Sequence, residues 1–259
     1  MAPDDETREA VDEAYGPEVL RALDIVGRED FYGILAGQGI RFIAGKMDLA
    51  AESRVLDLGA GIGGPARFFA ATFGCRVTGI DLSAFNHRTA VERTRASDLE
   101  GLVSFAHGDA LDAPVPDGYF THVFGCEAWC YFADKAPLYA RAKRALRPGG
   151  VIAFVEAACE VPVLLRTEEL LGPVRYESEA RYRALLEQSG FVDIRCFDTT
   201  PLATQDVASS LLRLLASREA VVEAAGADVY YGLLELWGEF LACFATGRLT
   251  HCGFVARAG

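Results

Sequence analysis

From Val55 onward, short apolar runs alternate with longer amphipathic ones, and that alternation predicts strands joined by helices. Runs at about 55–58, 76–80, 102–106, 120–125 and 150–156 have strand length, whereas 65–73, 83–97 and 134–146 repeat apolar positions at helical spacing. Strands separated in this way pair in parallel through right-handed crossovers. Arg147-Pro148-Gly149-Gly150 is a turn signal before the fifth strand. Further on, 179–189 predicts a helix ended by Gly190, 191–197 a strand, 206–224 and 228–246 two helices, and 250–256 a closing strand. Leu233, Leu236, Trp237, Phe240, Leu241 and Phe244 stripe the second of those helices, a pattern more usual in a core or dimer contact than against a substrate. Ahead of Val55 an acidic first helix is expected, and Pro17 opens a second with Val19, Leu20, Leu23 and Val26 on one face. Residues 31–40 are aromatic and broken by glycine, and 160–176 are irregular with room for a short helix around Glu168–Leu171.

The stretch Val55–Ala70, VLDLGAGIGGPARFFA, anchors this pattern. A buried strand runs into Gly59, Gly61, Gly63 and Gly64, where the backbone can turn tightly and approach a ligand. Pro65 then suits the first turn of a helix. Strand, glycine loop and helix N-terminus together make a small-molecule site with converging N–H groups. Gly59-x-Gly61-x-x-Gly64 also fits the dinucleotide pattern, which is weak alone. Asp57 separates the two readings, because a carboxylate beside the loop repels a pyrophosphate and attracts an ammonium. Val77-Thr78-Gly79-Ile80-Asp81 ends a second strand in an acid placed for ribose hydroxyls. An ammonium at one acid and a ribose at the other describe S-adenosylmethionine better than a nicotinamide dinucleotide.

VLDLGAGIGG, VTGIDLS, FAHGDALDAPVPDGYFTHVFG and LRPGGVIAFVE, in that order, resemble the class I S-adenosylmethionine-dependent methyltransferases. GGPARFF and Glu127-Ala-Trp-Cys-Tyr131 narrow the resemblance to small-molecule enzymes of the sterol, tocopherol, sarcosine and geranyl diphosphate methyltransferase type. The resemblance implies an α/β fold: a Rossmann-like, doubly wound, mostly parallel seven-stranded sheet. It implies an N-terminal helical cap over residues 1–50 and a cofactor-binding domain over 51–259, with a helical insertion at about 201–246 before the last strand. Cofactor contacts are expected from Asp57, Gly59, Ala60, Gly61, Gly63, Asp81, Leu82, Asp109, Ala110 and Cys126, with Asp109 reading the adenine amino group. Cap residues Tyr15 and Tyr32, together with Trp129, are candidate acceptor contacts, or plain packing. His107 and His122 read as partly buried strand residues.

Methyl transfer needs an aligned acceptor, exclusion of water and a route for any released proton. Glu127, Tyr131 and Glu156 are the candidates for this work. The histidine base of many O-methylating relatives is absent at Tyr131, and a phenol of pKa about 10 is a poor base near neutrality. Glu127 with Tyr131 instead resembles alkene C-methylating enzymes, whose carboxylate and aromatic faces stabilise a cation. Carbon acceptors are slightly favoured on that ground, and amines stay open. Two other readings stand beside methyl transfer: the same pocket used for cyclisation or binding, and, remotely, a nicotinamide oxidoreductase.

The 259 residues suit one α/β domain with attached helices. A formal charge of −12 argues against a nucleic-acid partner. The acidic N-terminus lacks the regions of a signal peptide, and no apolar run approaches membrane-spanning length. The seven cysteines, at 75, 126, 130, 159, 196, 243 and 252, form no CxxC pair and the histidines number four, so reduced buried thiols, no metal and a cytoplasmic setting are expected. A homo-oligomer is compatible with all of this.

Overall fold

The computed structural model describes residues 15–35, 37–161 and 174–259. The acidic first helix and the short helix expected around Glu168–Leu171 lie outside the described residues. Helices α1 (Pro17–Ile25) and α2 (Gly37–Ala44) precede strand β1 (Arg54–Leu58). There follow α3 (Gly64–Phe73), β2 (Arg76–Asp81), α4 (Ala84–Ala96), β3 (Val103–His107) and β4 (Phe120–Cys126). A 3-10 turn at Trp129–Tyr131 leads to α5 (Ala136–Ala145) and β5 (Leu146–Ala158). The chain closes with α6 (Glu179–Gln188), β6 (Phe191–Asp198), α7 (Thr200–Ala216), α8 (Arg218–Ala225), α9 (Ala227–Ala245) and β7 (Thr250–Ala258).

These strands form one seven-stranded sheet in the order β3-β2-β1-β4-β5-β7-β6. All neighbours among β1 to β5 pair in parallel, and β7 runs antiparallel between β5 and β6. The mostly parallel, doubly wound α/β fold is therefore as the sequence implies. Order reverses between β1 and β4, which opens a crevice at their carboxyl ends. Alternation along the strands separates two apolar clusters, one on each face of the sheet. In β5, Val151, Ala153, Val155 and Ala157 join one cluster, and Ile152, Phe154 and Ala158 join the other.

Two elements differ from the sequence reading. The Arg147–Gly150 turn signal lies inside a continuous β5, where pairing with β4 shifts register between Phe120 and His122. A glycine-rich stretch can absorb a bulge without leaving the sheet. The expected helix over 206–224 is two helices, α7 and α8, divided at Ser217, and α7 begins six residues earlier at Thr200. Pro201 in the first turn of α7 marks that start.

Residues 26–35 contain no helix and pack against the start of α3 and the residue after β4. The Asp30 carbonyl lies against Gly64 so closely that a Cβ there would overlap it. The Asp30 carboxylate pairs with the largely buried Arg67 guanidinium of α3. Gly64→Ala should therefore displace this segment and cost about 1–3 kcal/mol, roughly 2–10 °C in Tm by thermal unfolding. An unchanged Tm would mean that the segment is not seated on α3.

Candidate functional site

The loop after β1 is stitched to β2, because the N–H groups of Gly59 and Ala60 both donate to the Ile80 carbonyl, at 2.9 and 3.0 Å. Asp81, at the end of β2, accepts from the Gly61 N–H at 2.7 Å, and its other oxygen accepts from Ser83 N (3.0 Å) and Asn86 Nδ2 (3.3 Å). Asp109 accepts from the Leu111 N–H at 2.8 Å through Oδ1, whereas its buried Oδ2 has no hydrogen-bond partner. These groups border a cavity of about 790 Å³, counted with its open mouth. Of the expected cofactor contacts, Gly59, Gly61, Asp81, Leu82, Asp109, Ala110 and Cys126 line it. No lysine or arginine lines it among the described residues.

Asp57, Ala60 and Gly63 are not on its wall. Ala60 is held by Ile80, and Gly63 is the N-cap of α3 with φ at +80°. Asp57 lies beneath the glycine loop, 1% exposed, with neither carboxylate oxygen hydrogen-bonded. Burial and then the charge of Asp81 push its pKa up to about 8.

A second cavity, of about 470 Å³, adjoins the first and shares Tyr15, Tyr32, Gly33, Glu127 and Tyr131 with it. Its remaining wall includes Glu156, Tyr176, Leu236, Trp237 and Phe240. Tyr15 and Tyr131 join hydroxyl to hydroxyl at 2.7 Å, and the Tyr32 hydroxyl donates to the Tyr15 carbonyl at 3.2 Å. Burial raises the Tyr131 pKa well above the ordinary phenol value, so its hydroxyl stays protonated. Glu156 Oε1 accepts from Trp129 N (2.7 Å) and Cys130 N (3.2 Å), while its buried Oε2 has no partner. Burial and then the charge of Glu127 push the Glu156 pKa up to about 8, against the opposing effects of Lys135 and those two N–H groups.

Glu127 lines both cavities and is also tied to the N-terminal segment. Its carboxylate accepts from the backbone N–H groups of Ile34 and of Leu35 (2.7 Å) and faces Nε2 of the buried His251 at 2.9 Å. His251 is in turn held through Nδ1 by the Thr199 hydroxyl at 2.7 Å. Gly33 permits the approach, since a Cβ there would overlap the carboxylate. Arg28 completes the segment by donating to the carbonyls of Phe31, Gly33 and Ile34 and to Ser210 Oγ. Its burial lowers its pKa to about 10, still well above neutrality. Glu127 itself adopts a left-handed backbone, φ +51°, uncommon for a residue with a Cβ.

Trp129 does not reach either cavity. It is fully buried, donates from Nε1 to the Leu58 carbonyl at 2.9 Å and packs on Phe154 and Tyr139. Trp237 and Phe240 of the α9 stripe belong to the buried core, as periodicity implies, and also border the second cavity. His107 is exposed rather than partly buried, because β3 is an edge strand. His251 and Arg28 carried no signal in the sequence, since both work by meeting residues distant along the chain.

A family model described as "Methyltransferase domain" matches residues 56–154. The chain is 30% identical over 176 residues to the O-methyltransferase rstn1 of Aspergillus nomiae, covering 66% of this chain and 78% of that protein. It belongs to the class I S-adenosylmethionine-dependent methyltransferases. It is 37% identical over 117 residues to the glycine/sarcosine/dimethylglycine N-methyltransferase of Actinopolyspora halophila, over 45% of this chain. The chain spans 21%, 31% and 39% of the length of the first three curated relatives it matches. The fold matches Haemonchus contortus phosphoethanolamine N-methyltransferase 2, solved with phosphomonomethylethanolamine and S-adenosylhomocysteine. That likeness has a TM-score of 0.87 at 23% identity, over 97% of this chain and 59% of the other.

The residues present fit the family's cofactor. Asp81 and Asp109, the latter with an unpartnered oxygen, stand on the cavity wall, and no lysine or arginine among the described residues faces it, which disfavours a pyrophosphate. Among the described residues no helix is long and apolar enough to cross a membrane.

Two expectations follow. Between about pH 4 and pH 8 the folded protein holds a proton on Asp57 that the unfolded chain, with its ordinary carboxylate, has lost. The contribution is thus fully present at low pH and lost as pH rises through about 8. Asp57→Asn should flatten the fall in Tm of the ligand-free protein between pH 5 and 8; an unchanged slope would mean that Asp57 does not titrate there. Glu127→Gln offers one acceptor oxygen where two now serve Ile34, Leu35 and His251. It should cost about 1–3 kcal/mol and speed amide exchange at residues 34 and 35. Exchange equal to wild type would remove Glu127 from its anchoring role.

Proposed function

We propose that the protein transfers a methyl group from S-adenosylmethionine to a small-molecule acceptor in the second cavity, and that the acceptor presents an N–H or O–H to Glu156. One observation carries this reading: a buried glutamate with a free oxygen, Oε2, on the wall of a cavity continuous with the cofactor site through shared residues. A donor from the acceptor satisfies that oxygen, whereas an alkene carbon does not.

The cofactor, when bound, supplies an electrophilic methyl on a sulfonium. Asp57 would meet its ammonium from below the loop, Asp81 its ribose hydroxyls, and Asp109 its adenine amino group, with Leu82 and Ala110 beside the ring. Tyr15, Tyr32 and Tyr131 stand between the two cavities and would exclude water from the reacting atoms. Glu156, poised near pH 8, would take the proton that the nucleophile releases. Glu127 is committed to three donors, which weakens the case for a cation-stabilising carboxylate and with it the preference for carbon acceptors. No lysine or arginine lines the second cavity among the described residues, so the acceptor is neutral or cationic where it sits. The names of the relatives span N-, O- and C-methyl transfer, a sterol 24-C-methyltransferase among them, so the proposal rests on the cavity and not on those names.

At saturating cofactor, turnover of candidate amines and phenols should rise with pH through about 8 as Glu156 ionises. Glu156→Gln should lower kcat at least about tenfold and erase that limb, leaving cofactor affinity intact. Mass spectrometry should find one added methyl on the product. A product of unchanged mass would mean that the cavity serves cyclisation or binding, and a retained pH limb would remove Glu156 from the reaction.

A further inference from the structure

At the far edge of the sheet, away from both cavities, three side chains from three elements converge. Cys196 of β6, Cys252 of β7 and Glu179 in the first turn of α6 bring one donor atom each, all within 4.8 Å of one another. Cys252 is 3% exposed, Cys196 is half-buried and Glu179 is exposed, so the group is held from inside and open from outside. The geometry points to a binding site for a borderline-soft divalent cation, zinc being the common case, formed by Cys196, Cys252 and Glu179.

The donor set and its framework both support this. Two thiolates and a carboxylate select zinc or cadmium over magnesium or calcium, which take oxygen ligands. Two metal–sulfur bonds of about 2.3 Å at tetrahedral angles place the sulfurs a little under 4 Å apart, within the observed spread. A disulfide fits less well. Cys252 stands opposite Asp198 and Cys196 opposite Phe254, so the two cysteines are diagonal neighbours. Diagonal Cα atoms lie about 7–8 Å apart, beyond the span that a disulfide bridges without backbone movement. A metal placed between the sulfurs needs no such movement.

The donor atoms of Cys196, Cys252 and Glu179 already stand within 4.8 Å of one another, while the Thr250 hydroxyl donates to the Ala158 carbonyl. Glu179 follows the N-cap Ser178, where the helix N-terminus attracts anions. The competing partner of Glu179 is Arg183, at 3.9 Å and exposed, a weak contact. A metal here would clip α6 to β6 and β7, with water at the open fourth position.

The test uses the full, metal-free chain with Zn²⁺ in calorimetry and Cd²⁺ in ultraviolet absorption, where cadmium thiolates give a charge-transfer band. One equivalent should bind, with that band, and Zn²⁺ should raise Tm. Cys196→Ser should abolish the band, and Glu179→Gln should weaken Zn²⁺ binding at least about tenfold and remove most of the Tm gain. Both positions are open enough to solvent that the variants keep the fold, which circular dichroism checks; Cys252→Ser is the more disruptive third. No one-equivalent binding, or a band that survives Cys196→Ser, would overturn the site.

Discussion

The Glu127 carboxylate is the constraint on which the candidate site depends. It gathers two backbone N–H groups of the N-terminal segment and the imidazole of His251 around one buried anion. Without it those donors would be left unpaired in a largely dry place, at a cost of about 1–3 kcal/mol each. Because Glu127 follows directly on β4, the sheet itself fixes where the N-terminal segment lies. Its left-handed backbone is the local cost of turning that carboxylate toward the segment.

Arg28 answers from the other side. It binds the carbonyls of the same segment, so both polar edges of an irregular stretch are satisfied without a helix or strand. The Arg28 guanidinium also lies 5.8 Å from the Trp237 ring centroid, joining the segment to α9. The N-terminal segment, α9 and the end of β4 therefore meet at one point, beside the second cavity. That arrangement explains why residues from both ends of the chain share its wall.

Two buried acids lie beside this framework, and burial raises the pKa of each. Asp57 has two free oxygens beneath the glycine loop, while Glu156 has one free and one tied to the turn after β4. Both are held largely protonated at neutral pH by desolvation. A cation arriving at Asp57 favours its ionised form, whereas Glu156 is suited to exchanging a proton with a nucleophile. Tyr131, locked to Tyr15 with its pKa raised, suits neither task and serves as a wall.

Local pattern alone determined much of this. Period-two and period-3.6 patterning set the strands and helices, because each element must bury one face, and the glycine loop with its flanking acids marked the cofactor side. Asp81, Asp109, Leu82 and the glycines are legible since strand, loop and ligand contact lie within a few residues of one another. The division of α7 from α8 at Ser217 and the register shift inside β5 were not, because both are settled by packing against other elements. The same is true of function at the acceptor side. Glu127, Trp129 and Tyr131 sit in one short motif, yet tertiary contacts send the first to an anchor, the second to the core and the third to a cavity wall. His251, Arg28 and the Cys196–Cys252–Glu179 cluster acquire meaning only when strands far apart in sequence pair. A side chain's chemistry is written in the sequence, but its partners and its burial, which decide its charge, exist only once the chain has folded.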